Sequence, residues 1–118
     1  MDKGGVKEGI LFLLLHESPG PDGAGFTFEE IRRFLEFNDV KGYFEDTKKA
    51  RAELLKLLEE MKKNNFVEKR GGFEHVDYTW ENAGMHFLAG RGSPDEVGRR
   101  WKIPLWGESS HEGEAQQA

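Results

Sequence analysis

The chain has 118 residues, of which 17 are basic and 22 acidic, so its net charge at neutral pH is −5. This length suits one domain with a single hydrophobic core, and the absence of cysteine excludes disulfides and thiolate metal sites. Because the longest apolar run, at 10–15, is far shorter than the roughly 20 residues of a membrane span and follows no basic leader region, we expect a cytoplasmic protein without a membrane partner.

The first part of the chain predicts two helices joined by a loop. Residues 6–17 form the first helix, which is apolar nearly all round and is therefore expected in the core or against a partner subunit. The Pro- and Gly-rich segment 18–25 is expected to be a loop, since its spacing fits no phosphate-binding motif. Thr27 then caps a second helix that ends at about Phe37, and Glu30 completes the capping box.

A long amphipathic helix at about 47–64 is followed directly by a β-hairpin. The apolar residues of this helix share one stripe, at i, i+4, i+7, i+8 and i+11, and are Ala50, Leu54, Leu57, Leu58 and Met61. Asp46 or Thr47 would be the N-cap. The hairpin covers 66–80, with strand-forming residues on both sides of a turn at Gly71-Gly72. This order of elements predicts an α+β fold of the winged helix-turn-helix type, with a three-helix core and the hairpin as the wing.

The rest of the chain predicts an extension of the same domain, which would cover 1–106. A short helix at 80–88 precedes a second helical piece that Ser93 caps, with Pro94 at its first position. The apolar residues that follow either fold back on the domain or bind a protein partner, and they are Trp101, Ile103, Leu105 and Trp106. Residues 107–118 contain no large apolar residue and are expected to be a disordered acidic tail.

Positive charge is concentrated in the long helix and the first strand of the hairpin. Residues 47–70 hold eight basic and four acidic side chains in a chain that is otherwise acidic. In helix-turn-helix proteins the N-terminal part of the second helix enters the major groove. The candidate DNA-binding residues are Thr47, Lys48, Lys49, Arg51, Lys56, Lys69 and Arg70. The alternation of Lys and Glu along the helix would also occur on an exposed face that is merely solvated and binds nothing. A solvated surface is therefore the second interpretation of these charges.

Three stretches of the chain resemble a known family. They are ILFLLLHESPGPDGAGFTFEEIRRFL, ARAELLKLLEEMKKNNFVEKRGG and YTWENAGMHFL. Together they resemble the winged-helix transcription regulators of the MarR and PadR type over about residues 6–88. Asn65 stands where that family usually has Gly, and the long terminal helix through which its members dimerise has no counterpart here. The resemblance implies a DNA-binding transcription regulator.

Two functions follow from these observations. The first is a DNA-binding winged helix that places the helix at 47–64 in the major groove of double-stranded DNA. The alternative is a protein–protein interaction module, including a ribosome- or complex-associated subunit, because a fainter similarity exists to winged-helix proteins of the small ribosomal subunit. Its protein partner, or a second copy of the chain, would bind the first helix and the segment 101–106. Since the four histidines are scattered without metal-binding spacing, we expect no enzymatic activity and no cofactor.

Overall fold

The computed structural model describes residues 1–16, 25–71 and 76–104. These described residues form five α-helices and a two-stranded antiparallel hairpin, an α+β architecture that is compatible with a winged-helix layout. In chain order the elements are α1 (Lys3–His16), α2 (Phe28–Phe37), α3 (Lys48–Lys63), β1 (Val67–Gly71), β2 (Val76–Trp80), α4 (Asn82–Ala89) and α5 (Pro94–Arg100).

Helix α1 lies at the centre of the domain. It packs against α2, α3, α4 and β2, because apolar side chains surround it on nearly every side. Its most deeply buried apolar residues are Val6, Ile10, Leu11, Leu13 and Leu14. The helix begins at Lys3 rather than at Val6, as the side chain of Asp2 accepts a hydrogen bond from the backbone N–H of Gly5 at 2.8 Å and so satisfies an amide of the first turn.

Helices α2 and α3 begin where their capping residues predict. The hydroxyl of Thr27 accepts a hydrogen bond from the backbone N–H of Glu30, and the carboxylate of Glu30 accepts one from the backbone N–H of Thr27, which confirms the capping box. The hydroxyl of Thr47 accepts a hydrogen bond from the backbone N–H of Ala50 at 3.1 Å, so Thr47 rather than Asp46 caps α3. All five residues of the expected apolar stripe of α3 are buried.

The chain turns sharply from α3 into the hairpin at Asn65, whose φ of 62° lies in the left-handed region. Strand β1 then pairs with β2 in a register that runs from Val67 opposite Trp80 to Gly71 opposite Val76. The predicted turn residue Gly72 and the beginning of the expected second strand lie outside the described residues.

A single bridge joins Phe26 to Tyr78 on the edge of β2 opposite to β1. The two residues exchange backbone hydrogen bonds, from Phe26 N–H to the Tyr78 carbonyl at 2.9 Å and from Tyr78 N–H to the Phe26 carbonyl at 2.8 Å. The preceding residue must be small here, since a Cβ on Gly25 would overlap the backbone of Tyr78. The segment just before α2 is therefore fastened to the hairpin.

The C-terminal extension folds back on the helices. Helix α4 begins at Asn82 rather than at Trp80, because Trp80 is still paired in the hairpin. Ser93 caps α5 as expected, with Glu96 completing a capping box. Trp101 then packs in the core, 5% exposed, with its ring stacked on Phe34. Of the helices in the described part of the chain, none is long and apolar enough to cross a membrane.

Candidate nucleic-acid interface

Opposite its buried stripe, α3 presents an exposed face with a narrow apolar line between rows of cations. Ala52 and Leu55 lie on the line, at i+4 and i+7 from Lys48 at the start of the helix. Leu55 is 45% exposed and lies on the side of the helix that faces the hairpin. The other exposed lysines of α3 flank this line and are Lys49, Lys56, Lys62 and Lys63.

The start of α3 is the most accessible cationic part of this face. Lys48 and Lys49 are exposed and form no ion pair with another described residue, and the same holds for Lys56 one turn beyond Ala52. The first-turn amides and the positive end of the helix dipole add to the local positive potential. Thr47 is exposed, but its hydroxyl oxygen is the cap of the helix, so its first role is structural.

Arg51 is not a free cation. Its guanidinium contacts Glu29 of α2 at 2.6 Å and Asp46 at 2.9 Å, and it lies over the ring of Phe28. The hydrogen bonds that Arg51 donates to Glu29 and then to Asp46 raise the pKa of Arg51. The pKa of Glu29 is lowered, first by the hydrogen bond that Arg32 donates to it and also by the one from Arg51. Two carboxylates therefore stand beside the cationic end of α3.

The two basic residues of the hairpin also have acidic neighbours. Lys69 lies 3.7 Å from Glu59 of α3, which is 3.5 Å from Lys62 as well. Arg70 lies 3.6 Å from Asp77, the residue directly opposite it in the register of the hairpin. Of the expected DNA-binding residues, Arg51 and Lys69 line one cavity beside α3, whereas Arg70 pairs with Asp77 across the hairpin. The structure also adds carboxylates that sequence spacing did not reveal because they lie on other elements.

A cavity of about 430 Å³ runs along α3 on the side of the hairpin. Its lining is mainly apolar and includes Phe28, Ala52, Leu55, Val76 and Tyr78. Burial, followed by the charge of Glu59, raises the pKa of Tyr78, so this phenol stays protonated at neutral pH.

The residues expected to bind a protein partner have different positions. Trp101 is buried and Ile103 is half-buried, and both line a cavity of about 870 Å³ between α1, α4 and α5. Of the two alternatives, folding back on the domain or binding a partner, these two residues therefore fold back. Leu105, Trp106 and the tail 107–118 lie outside the described residues. Helix α1, the other expected partner surface, is covered by its own chain along most of its length.

The histidines do not assemble into a site within the described part of the chain. His16 stacks on Phe12 at the end of α1, with 4.9 Å between ring centroids, and His86 is exposed on α4. Among residues 1–16, 25–71 and 76–104, no three His, Cys, Asp or Glu side chains are grouped so that they could hold a metal ion.

Comparisons with protein-family models, with curated proteins and with solved structures find no match for this chain. The resemblance to the MarR and PadR regulators therefore stays a prediction from the sequence.

Proposed function

We propose that this chain is a DNA-binding winged helix of the MarR and PadR type, which acts as a transcription regulator. The first half of α3 would enter the major groove of double-stranded DNA, and the hairpin of β1 and β2 would contact the flanking backbone. The observation that carries the proposal is the exposed start of α3, where Lys48 and Lys49 project from a capped helix end without an acidic partner among the described residues.

The arrangement of the elements supports the same proposal. Helix α2, a connection at 38–47 and helix α3 are followed directly by the hairpin, which is the order of elements in a helix-turn-helix with a wing, and the connection is longer than the usual three- to four-residue turn. The bridge between Phe26 and Tyr78 ties the start of α2 to β2, and β1 packs against α3, so the hairpin is held against both helices. A wing that is held in this way could follow the DNA backbone next to the groove that α3 occupies.

Electrostatics supports a moderate and salt-sensitive affinity. Each phosphate that a lysine neutralises lowers the slope of log K against log salt by about 0.9 for duplex DNA. Lys48, Lys49 and Lys56 supply unpaired charge, whereas Arg51, Lys69 and Arg70 share theirs with carboxylates. We therefore expect a slope of about −3 rather than the steeper value that all six cations would produce.

The test is a fluorescence anisotropy titration of labelled duplex DNA of random sequence, repeated at increasing salt. Replacing both Lys48→Ala and Lys49→Ala should weaken binding about tenfold or more and make the salt slope shallower by about two. The matched control, Arg99→Ala with Lys102→Ala, removes the same charge from exposed residues in α5 and directly after it, and it should bind like the wild type. Failure of the wild type to bind at low salt, or equal losses in both double variants, would overturn the proposal.

One observation favours protein binding as a second candidate function. Leu55 projects from α3 beside a cavity whose lining includes Phe28, Val76 and Tyr78, and an apolar side chain of a partner could fill it. This candidate predicts that the wild type binds no duplex and that Leu55→Asp, which changes an exposed residue, abolishes binding to a purified protein partner while the fold is retained. Salt-dependent duplex binding that is lost with the two lysines would exclude it as the main function of this face.

A further inference from the structure

The cavity of about 870 Å³ between α1, α4 and α5 forms a groove in which several apolar side chains stay partly exposed. Phe12, Leu15 and Leu88 are half-buried along this C-terminal groove, and Met85 is 40% exposed in it. Clefts of about 300 to 1,000 Å³ are of the size that encloses a bound group. Because apolar surface is stabilised when it is removed from water, the groove favours an apolar occupant.

The chain itself runs along this groove after α5. The backbone of Trp101 is extended, with φ of −128° and ψ of 142°. Trp101 is buried, Lys102 is exposed and Ile103 is half-buried. Side chains in an extended chain alternate between two sides, and here one side is solvent and the other is the groove, which Trp101 and Ile103 both line.

Contacts on two consecutive residues fix the direction of this extended segment. The side-chain amide of Asn38, at the end of α2, donates a hydrogen bond to the carbonyl of Lys102 and accepts one from its backbone N–H, each 2.9 Å long. The indole of Trp101 is held by its hydrogen bond of 2.7 Å to Glu8. The chain therefore leaves α5 along the groove in one defined direction.

Pro104 favours continuation of the extended conformation. Its ring fixes φ near −65° and disfavours helical angles for Ile103 before it. An extended chain would place Leu105 on the same side as Trp101 and Ile103, which is the side of the groove. Trp106 follows only three residues after Ile103, at most about 11 Å of chain. Two large apolar side chains are thus tethered beside the groove.

We propose that the C-terminal groove is the docking site of Leu105 and Trp106 of the same chain, which cover Met85 and the half-buried apolar residues beside it. A short tether gives these side chains an effective concentration on the order of millimolar, so a separate protein or a second copy would need about that concentration to compete on equal terms. The inference does not depend on the proposed function, because the groove lies between α1, α4 and α5, whereas the proposed DNA contacts are on α3 and the hairpin.

The experiment is an NMR measurement on the full chain with ¹³C-labelled methionine methyl groups. The three methionines are Met85 in the groove, Met1, which is exposed, and Met61, which is buried in the core, so two of them serve as internal references. The methyl group of Met85 should show a nuclear Overhauser effect to the indole of Trp106. Trp106→Ala should abolish this effect and shift the Met85 resonance, because the ring current is lost, and should leave that of Met61 in place.

The matched control for this shift is Phe37→Ala. It removes another large exposed aromatic side chain, 54% exposed at the end of α2, which does not line the groove. The Met85 resonance should stay at its wild-type position in this variant.

Urea unfolding measures how much the docked segment stabilises the domain. Leu105→Ala should increase the unfolding equilibrium constant about tenfold, the factor expected when about half of the transfer free energy of a leucine side chain is lost. Lys102→Ala changes the solvent side of the same segment and is the control, which should alter the constant about twofold at most.

Light scattering of the same samples decides whether one chain supplies both the groove and its occupant. The docking within one chain is overturned if the wild type has the mass of two chains and Trp106→Ala reduces it to one, because the segment of one copy then occupies the groove of another. A Met85 resonance that Trp106→Ala leaves unmoved, or a Leu105→Ala variant as stable as the wild type, also overturns the proposal and leaves the groove to a different occupant.

Discussion

The indole N–H of Trp101 donates a hydrogen bond of 2.7 Å to the carboxylate of Glu8, and both residues are almost completely buried. Two arginines also donate to Glu8, Arg91 at 2.9 Å and Arg100 at 2.8 Å. One carboxylate of α1 therefore holds the segment after α4, the end of α5 and the residue that follows α5. The C-terminal extension is fixed to the central helix by charge as well as by apolar packing.

Replacing Glu8→Gln should destabilise the domain by about 2 kcal/mol. The substitution keeps the size of the side chain but leaves Arg91 and Arg100 without their buried anion, and a hydrogen bond to a charged group contributes about 1.5 to 3 kcal/mol. The expected loss is below the 3 to 5 kcal/mol of a fully buried broken ion pair, because the arginine side chains are partly exposed. Urea unfolding followed by tryptophan fluorescence measures it. Glu36→Gln removes an exposed carboxylate from α2 and is the control, and an equal loss in both variants would contradict the role assigned to Glu8.

The contribution of Glu8 should disappear at acid pH. Burial raises the pKa of this carboxyl, but the hydrogen bonds from Arg100, Trp101 and Arg91 outweigh burial, so its pKa in the folded state lies below the ordinary value. The unfolded chain therefore binds the proton more readily than the folded one. The stability that Glu8 provides is complete at pH values above the ordinary pKa of a glutamate, and it is lost as the pH falls through the lower pKa of Glu8 in the folded protein.

Unfolding free energies of the wild type and Glu8→Gln, measured from neutral pH to about pH 3, should differ most at neutral pH and converge as the pH falls. The difference between the two proteins isolates Glu8 from other carboxylates whose pKa is also lowered, such as Glu60 beside Lys7. A difference that stays constant over this range would exclude the titration of Glu8 as its cause.

Gly9→Ala should destabilise the domain by about 1 to 3 kcal/mol, the usual cost of overpacking. The ring of Trp101 lies directly on Gly9, and a Cβ at this position would overlap it. The sign of the change in unfolding free energy is diagnostic, because replacing Gly by Ala in a helix without such a contact stabilises the helix by about 1 kcal/mol. Gly98→Ala in α5 is the matched control, because the nearest atoms, of Phe12, would be at ordinary contact distance. Thermal unfolding of the two variants should show shifts of opposite sign, and a stabilised Gly9→Ala would contradict the packing of Trp101.

The features that were predictable from the sequence depend on residues close together in the chain. The capping box at Thr27, the stripe from Ala50 to Met61 and the cap at Ser93 are patterns of three to eleven positions, and each matches the structure. Backbone geometry relates such residues whatever the rest of the fold does. The architecture of helices followed by a hairpin could be inferred for the same reason.

The features that were missed join residues far apart in the chain. The pairing of Phe26 with Tyr78 and that of Glu29 with Arg51 depend on how whole elements pack, and the spacing in one sequence carries no information about it. One signal was available for the cluster at Glu8. An acid at the eighth position, inside an otherwise apolar helix that is expected in the core, requires cationic partners, and the Arg-containing segment at 91–100 was the place to look for them.

Releasing Arg51 should increase the affinity for duplex DNA. Glu29 and Asp46 hold its guanidinium and place negative charge near the end of α3 that is proposed to enter the groove. Replacing Glu29→Gln together with Asp46→Asn removes both effects, so binding should become about tenfold tighter at low salt, with a salt slope steeper by about one.

The control for this gain removes the same two charges elsewhere. Asp39→Asn with Asp95→Asn changes exposed carboxylates after α2 and in α5, and it should raise affinity by much less and leave the salt slope unchanged, because neither carboxylate pairs with Arg51 or with another cation of α3. Anisotropy titrations of both double variants over a range of salt concentrations measure the difference. Equal gains would attribute the effect to net charge alone, and no gain from releasing Arg51 would place this residue outside the DNA interface.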